Sequence, residues 1–148
     1  ALGHALGRIG CFLEGCCHGA ATILPWGLRF THPASSVDER LIGVPLHPVQ
    51  LLEAAGSFAF FLFFGCFVLP LIRKGKLRYG VSFLGYLCAY SLLRFALEFM
   101  RGDERGSFLG PLLSPAQWMS LGVLAAAGGM LYRQGIFVRD RKSHSIYL

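Results

Sequence analysis

The apolar segment between Pro48 and Ile72 restricts the fold of this chain more than any other feature of the sequence. It holds the phenylalanine-rich run at residues 58–67, and its length matches a membrane-spanning helix, which needs about 20 residues. Hydrophobic residues make up 54% of the chain and charged residues 15%, whereas soluble domains carry about 25% charged residues. The sequence therefore predicts an integral membrane protein and excludes an ordinary soluble domain.

Two further spans are predicted after this segment. Residues 79–99 form a second apolar stretch of suitable length. Ser114, Pro115 and Gln117 have the pattern of a capping box with proline in the first helical turn. A third span is therefore expected to start there and to end near Tyr132.

The remaining segments complete the predicted fold. Residues 1–13 have a helical pattern, and we expect them to be the end of a membrane helix, since the chain has no initiator methionine and no recognisable signal peptide. Residues 20–46 hold several prolines and predict a loop with strand-like pieces near residues 26–30. The prediction is an all-α membrane protein, a polytopic helix bundle with three complete transmembrane helices, a partial N-terminal helix and one long external loop. Residues 1–148 form one transmembrane domain, with a further N-terminal part of the bundle expected.

The basic residues follow the loops between the spans, so the net charge of +6 indicates topology and predicts no nucleic-acid partner. The positive-inside rule places the turn after the first span and the tail after the third span in the cytoplasm. The loops at residues 20–46 and 101–113 carry balanced charges and are expected outside. The cytoplasmic basic residues are Arg73, Lys74, Lys76 and Arg78 in the turn and Arg133, Arg139, Arg141 and Lys142 in the tail.

This topology places polar residues of different segments at one depth on the external side. His47, Gln50 and Glu53 begin the first span, and Arg94 and Glu98 end the second. Charged residues within a membrane are costly and usually functional. His47 could act as a general base, since an unperturbed histidine has a pKa of about 6.5, or it could simply cap the helix. The residues predicted on one face of the second span are Tyr90, Arg94, Glu98 and Arg101.

Arg8 and Arg94 are the residues that we expect to bind a ligand. A guanidinium group is permanently charged and can donate two parallel hydrogen bonds to a phosphate. Glu14, Glu53 and Glu98 could hold the two arginines in place through partly buried ion pairs. In the alternative interpretation, Arg94 and Glu98 only neutralise each other as a helical pair, and Glu53 is an interfacial residue. The intramembrane position favours the functional interpretation.

Cys11, Cys16 and Cys17 lie beside His18 in the segment that follows Arg8. Such a cluster could bind a metal ion or cycle through a disulfide. However, adjacent cysteines cannot easily bind one ion together, and the usual C-x-x-C spacing is absent. We therefore predict no metal site, and expect small-residue packing or a structural disulfide instead.

Four motifs follow one another in this chain, namely GRIGCFLEGCCHG, LHPVQLLEA, YSLLRFALEFMRGD and SPAQW. In this order and at these intervals, they resemble the C-terminal half of prolipoprotein diacylglyceryl transferase, over residues 3–120. The resemblance implies a seven-span enzyme of the bacterial inner membrane. Such an enzyme moves the diacylglyceryl group of phosphatidylglycerol to the lipobox cysteine thiol of a prolipoprotein signal peptide and releases glycerol phosphate.

The resemblance also implies roles for individual residues. Arg8 matches the arginine of the family's G-R-[IL]-G-N signature, and Arg94 matches the essential arginine of its Y-x-x-x-R-x-x-x-E segment. The implied catalytic residues are Arg8, Arg94 and His47. The implied substrate-binding residues are Gly7, Gly10, Glu14, Gly19, Gln50, Glu53, Tyr90, Glu98 and Arg101. No cofactor is predicted, the expected partners are phosphatidylglycerol, the signal peptide and membrane lipid, and the site is expected to face the external leaflet.

The chain departs from the family pattern at several positions. Cys11 replaces the signature asparagine, Glu14 and Cys16 replace a later asparagine and glutamate, and Val49 replaces the serine of H-P-S-Q. The family's H-G-G motif lies in its N-terminal half and has no counterpart in these residues. Either that half was not included in this chain, or the chain is a shorter relative in which transfer is in question.

Two other functions are compatible with the same residues. A noncatalytic phospholipid-binding membrane subunit would keep the headgroup site without the base. A membrane thiol-redox protein would use Cys11, Cys16 and Cys17, and alkylation of these thiols would then abolish its function.

Overall fold

A computed structural model of the chain describes residues 1–101 and 113–136. Most of the predicted loop at residues 101–113 and the basic tail after residue 136 lie outside these ranges. The predictions of their positions relative to the membrane are therefore not addressed by the structure.

Helices account for most of the described chain. The apolar segment after Pro48 is one continuous helical stretch, because the π-helical residues Phe64–Val68 join two α-helices without a break. This confirms the predicted long helix between Pro48 and Ile72. The helices are α1 at Leu2–Glu14, α2 at Val49–Phe63, α3 at Leu69–Arg73, α4 at Val81–Glu98 and α5 at Pro115–Gln134.

Two of these helical stretches are long and apolar enough to cross a membrane. They are Val49–Arg73, with 25 residues, and Val81–Glu98, with 18 residues. The 20-residue helix α5 is long enough, but it is not among the apolar stretches that qualify in the described ranges. Its glycines and its polar residues Gln117 and Ser120 reduce its hydropathy. The coarser prediction of a helical membrane protein is confirmed, and the third complete span remains a prediction.

The starts of two helices test the predicted caps. The capping box of α5 is present, because the Ser114 side chain accepts from the backbone N–H of Gln117 and the Gln117 side chain accepts from that of Ser114. The predicted cap at His47 is wrong, since α2 has Pro48 at its N-cap position without a side-chain cap. The His47 backbone is instead paired with the loop, donating to Ala20 O and accepting from Gly19 N, both at 2.9 Å.

The long loop contains a short strand within the predicted region near residues 26–30, and a second strand at residues 45–46 that was not predicted. Strand β1 at Leu28–Arg29 pairs antiparallel with strand β2 at Pro45–Leu46. An isolated bridge also joins Ala21 to Leu46. The loop is therefore folded back on itself directly before α2 begins.

The helices pack in the order α1, α2, α4 and α5, each mainly against its neighbour in this series. At one end of the bundle, Val68, Ile72, Leu77 and Val81 form a buried apolar cluster around the basic turn. At the other end, the start of α2 and the end of α4 meet the segment after α1, because Ala20 N donates to Met100 O at 2.9 Å. This second end holds the polar residues.

Candidate active site

A single buried carboxylate lies at the centre of the polar end of the bundle. Glu53 on α2 is 0% exposed, and its Oε1 atom is 3.0 Å from His4 Nε2 and accepts hydrogen bonds from Arg8 Nη2 at 3.0 Å and from Tyr90 OH at 2.8 Å. These partners belong to α1 and α4. One carboxylate oxygen therefore joins three helices.

Helical spacing explains why these residues meet. His4 and Arg8 lie one turn apart on α1, so both side chains face α2. Tyr90 and Arg94 are related in the same way on α4. Because α1 and α4 both pack against α2, Glu53 receives donors from both helices.

His4 was not among the predicted site residues. Its ring lies edge-on to Tyr90, with ring centroids 4.9 Å apart, in addition to its contact with Glu53. The one-turn spacing from Arg8 could have identified it, because a second polar residue on the same helix face at similar depth has the same need for a partner. It was overlooked because no signature residue falls at this position.

Arg94 is held by a neighbouring carboxylate but keeps an unused donor. Its Nη2 atom forms an ion pair with Glu98 Oε2 at 2.8 Å, a contact that both interpretations of the sequence predicted. Glu98 Oε1 accepts from Ser114 Oγ at 2.9 Å, which connects the pair to the start of α5. Arg94 Nη1 is buried and has no hydrogen-bond partner among the residues that the structure describes. Buried donors of this kind are normally satisfied, so this atom is suited to an anionic ligand.

A cavity of about 330 Å³ opens between α4 and α5 beside this arginine. Tyr90, Ser91, Arg94 and Ser120 contribute its polar groups, and aliphatic residues and Met119 form the rest of its wall. The cavity therefore combines a cationic group with an apolar surface. Arg8 also interacts with Tyr90, which links the first arginine to the wall of this cavity.

The loop that follows α1 is held against the site by contacts to its backbone. Gln50 is 1% exposed, and its side-chain Nε2 donates to Cys16 O at 2.8 Å. Gly19 is closely surrounded, since a Cβ atom there would lie 2.5 Å from His47 Cβ and 2.6 Å from Met100 O. Gln50 thus holds the loop against the start of α2, and the absence of a side chain at Gly19 lets the loop approach the end of α4.

Several predicted site residues are not part of the Glu53 network. Glu14 is exposed and accepts from Ser36 Oγ at 2.7 Å, so the prediction that it would join the two arginines is wrong. Gly7 and Gly10 lie on α1 with open space around them. His47 Nδ1 is buried without a hydrogen-bond partner in the described part of the chain. Arg101 interacts with Cys17 instead.

The three cysteines of the signature converge. The Sγ atoms of Cys11, Cys16 and Cys17 all lie within 4.8 Å of one another. Cys17 has a positive φ of 58°, a conformation that is uncommon outside glycine. This local turn is the reason that the thiols of two adjacent residues reach the same point.

The pKa values of the adjacent thiols Cys16 and Cys17 shift in opposite directions. Burial and hydrogen bonds with Cys11 and Cys17 raise the pKa of Cys16 to about 11. Burial alone would also raise the pKa of Cys17, but hydrogen bonds with Cys16 and Arg101 and the positive charges of Arg101 and Arg8 lower it below its ordinary value. The loop thus lies in the electrostatic field of the site arginines.

Comparisons with known proteins agree on one family. The model of the family described as prolipoprotein diacylglyceryl transferase matches residues 1–133. A phosphatidylglycerol–prolipoprotein diacylglyceryl transferase 2 of Clostridium perfringens is 41% identical over 131 residues, which cover 88% of this chain and 46% of that protein. The phosphatidylglycerol–prolipoprotein diacylglyceryl transferase of Clostridium tetani is 40% identical over 121 residues, covering 82% and 44%.

A relative from a third organism belongs to the same family. The phosphatidylglycerol–prolipoprotein diacylglyceryl transferase of Cupriavidus necator is 38% identical over 133 residues, covering 87% of this chain and 44% of that protein. The chain therefore spans somewhat less than half the length of the curated relatives that it matches. No solved structure matches the chain.

Proposed function

Because this chain belongs to the prolipoprotein diacylglyceryl transferase family, we propose that it transfers the diacylglyceryl group of phosphatidylglycerol to the lipobox cysteine thiol of bacterial prolipoproteins. The relatives carry phosphatidylglycerol and prolipoprotein in their names. We propose the same two substrates for this chain.

The observation that carries this proposal is the position of Arg94 in the wall of an otherwise largely apolar cavity. A phospholipid presents a phosphate next to acyl chains, and the cavity offers a guanidinium group next to an apolar surface. Arg94 keeps one buried donor after pairing with Glu98. This donor is suited to a phosphate oxygen.

The proposed reaction forms a carbon–sulfur bond between the glyceryl group and the substrate thiolate and breaks the carbon–oxygen bond to the phosphate. Glycerol phosphate then departs with the electron pair of the broken bond. Arg94 and Arg8 stabilise the negative charge that develops on the departing group. Glu53 holds Arg8 at 3.0 Å, so the cation needs little rearrangement during the reaction.

The substrate thiol must lose its proton, since the thiolate is the nucleophile and a free cysteine has a pKa of about 8.5. We propose His47 as the base, because its Nδ1 atom is buried and makes no hydrogen bond within the described ranges. A neutral imidazole nitrogen in this state can accept a proton. His4, which already contacts Glu53, acts as a support for the carboxylate.

We further propose the arrangement in the membrane. The chain crosses the bacterial inner membrane several times, with α5 as a third span and the C-terminus in the cytoplasm. The basic turn after α3 favours the cytoplasm by the positive-inside rule. The Glu53 network lies at the opposite end of the bundle, so the site faces the external leaflet.

The proposal is tested by replacing Arg94 or Arg8 with alanine and measuring transfer of labelled lipid to a lipobox peptide in membranes of a strain depleted of its own transferase. Each variant is expected to lose transfer while it still inserts into the membrane. Arg40→Ala is the matched control, because this exposed arginine lies in the loop. Near-normal labelling in Arg94→Ala would contradict the proposal. If the unaltered chain binds phosphatidylglycerol but transfers nothing, the noncatalytic lipid-binding function replaces it.

A further inference from the structure

The thiol cluster at the end of α1 has a geometry that the transfer reaction does not explain. Cys11 lies in the last turn of α1, whereas Cys16 and Cys17 lie beyond the helix end. Their three Sγ atoms are within 4.8 Å of one another. We propose that these cysteines form a three-thiolate site for a thiophilic divalent metal ion such as Zn²⁺.

The spacing of the sulfur atoms fits such an ion. Zinc binds thiolates at about 2.3 Å, which places two sulfur ligands of a tetrahedral site about 3.8 Å apart. Sulfur atoms that already lie within 4.8 Å of one another reach this separation by small side-chain rotations. A disulfide uses two thiols and leaves the third without a role, whereas a metal ion uses all three.

The backbone is arranged to bring the adjacent thiols together. Gly15 ends α1 in the left-handed conformation with φ of 83°, and Cys17 adopts φ of 58°. A non-glycine residue in this region is conformationally strained and persists only where the surroundings determine it. The turn therefore directs two consecutive side chains to the side on which Cys11 lies.

The charges around the cluster suit a divalent ion. Three thiolates and one divalent cation together carry a single negative charge. Arg101 and Arg8 act electrostatically on Cys17, so this remaining charge lies in a positive field. Soft thiolate ligands favour zinc and related ions over magnesium or calcium.

The fourth position of a tetrahedral site is open to a water molecule. Cys11, Cys16 and Cys17 are the residues whose ligand atoms lie within 4.8 Å of one another in the described part of the chain. Three protein ligands and one open position are an arrangement that zinc accepts.

The test is a titration of the reduced, detergent-solubilised chain with Co²⁺, followed by displacement with Zn²⁺. We expect saturable binding of one ion per chain with the near-ultraviolet absorption of thiolate-to-cobalt charge transfer. Replacement of Cys11, Cys16 or Cys17 by serine is expected to weaken binding by more than about 100-fold, the upper range for loss of an outer partner alone. Cys66→Ser and Cys88→Ser are the matched controls and should leave the absorption unchanged.

A second variant separates metal binding from folding. Cys17→Gly removes the thiol but suits the positive φ at this position, so the metal-free protein should keep its thermal stability while the absorption is lost. Retention of the cobalt absorption in Cys17→Gly would overturn the proposal. So would the absence of saturable binding by the reduced chain, or a disulfide between two of the three thiols in protein alkylated directly in the membrane.

Discussion

At the scale of single residues, Glu53 shows how one carboxylate can position several groups. Its Oε1 atom contacts an imidazole, a guanidinium group and a phenol. A buried charge is tolerated only when it is paired and hydrogen-bonded. The position of Arg8 and the orientation of Tyr90 toward the cavity therefore depend on this carboxylate.

Tyr90→Phe is expected to lower the free energy of unfolding by about 1.5 kcal/mol, the lower end for a hydrogen bond to a charged group. The loss is at the lower end because His4 and Arg8 remain in contact with Glu53. Thermal unfolding in detergent measures the change. Tyr86→Phe is the control. The Tyr86 ring stacks on Tyr90, but among the described residues its hydroxyl makes no hydrogen bond to Glu53. Equal losses in both variants would contradict the role of the Tyr90 hydroxyl.

Gly19→Ala is expected to destabilise the protein by about 1–3 kcal/mol, the usual cost of overpacking. The added methyl group would lie 2.6 Å from the backbone oxygen of Met100, which cannot move without shifting the end of α4. Gly10→Ala provides the comparison, because nothing lies within 4 Å of that position and alanine favours a helix by about 1 kcal/mol over glycine. Denaturation midpoints of the two variants should move in opposite directions.

The sequence was sufficient to predict Arg8, Glu53, Tyr90 and Arg94 as one polar group, because charge and helical spacing indicate both depth and face. The sequence was not sufficient to predict where the Glu14 side chain lies. This residue is the last of α1, and the left-handed Gly15 that follows turns the chain toward Ser36. The glycine after α1 is a usual signal for a helix end, but the direction that the chain takes after it depends on packing against the loop.

At the scale of secondary-structure elements, the start of α5 is coupled to the cavity. Ser114 caps the helix through its side chain and also donates to Glu98, the partner of Arg94. The capping box was predictable from local sequence, whereas the contact with Glu98 depends on how α4 and α5 pack. One hydroxyl group thus connects helix initiation to the position of an arginine.

Ser114→Ala is expected to cost about 1 kcal/mol from the lost cap and to lower lipid transfer as well, since Glu98 loses a donor. Ser114→Thr keeps the hydroxyl and should remain close to the unaltered chain. Ser36→Ala is the second control, because that exposed hydroxyl donates to Glu14 and does not line the cavity beside Arg94. Unfolding and transfer assays on the three variants separate these effects. Unchanged transfer in Ser114→Ala would show that Glu98 positions Arg94 without this hydrogen bond.

At the scale of the whole molecule, the described fold separates a basic end from a polar site at the opposite end. Val49–Arg73 and Val81–Glu98 connect the two ends. The alternation of apolar runs and charged turns was enough to predict this separation. The status of α5 as a span was not settled by hydropathy, because its small residues make it only weakly apolar.

Reporter fusions test the proposed orientation. Alkaline phosphatase fused after Ser36 should be active, because the enzyme folds only outside the cytoplasm, and a fluorescent protein fused after Lys76 should be fluorescent. Neutralising Arg73, Lys74, Lys76 and Arg78 should weaken this orientation, since basic residues near span ends determine it. The reverse pattern of reporter activity would contradict the proposed topology.

The hydrogen bond from Ala20 N to Met100 O has a consequence for biosynthesis. Chains emerge from the ribosome at about 5–20 residues per second, N-terminal part first, so Ala20 is made well before its acceptor. Arg8 and Glu53 can pair early, whereas Tyr90 and the closing contact of the loop arrive only with α4. Completion of the site is therefore a late step in assembly, because the Glu53 network closes only once α4 has been made and the cavity beside Arg94 forms only once α5 packs against α4.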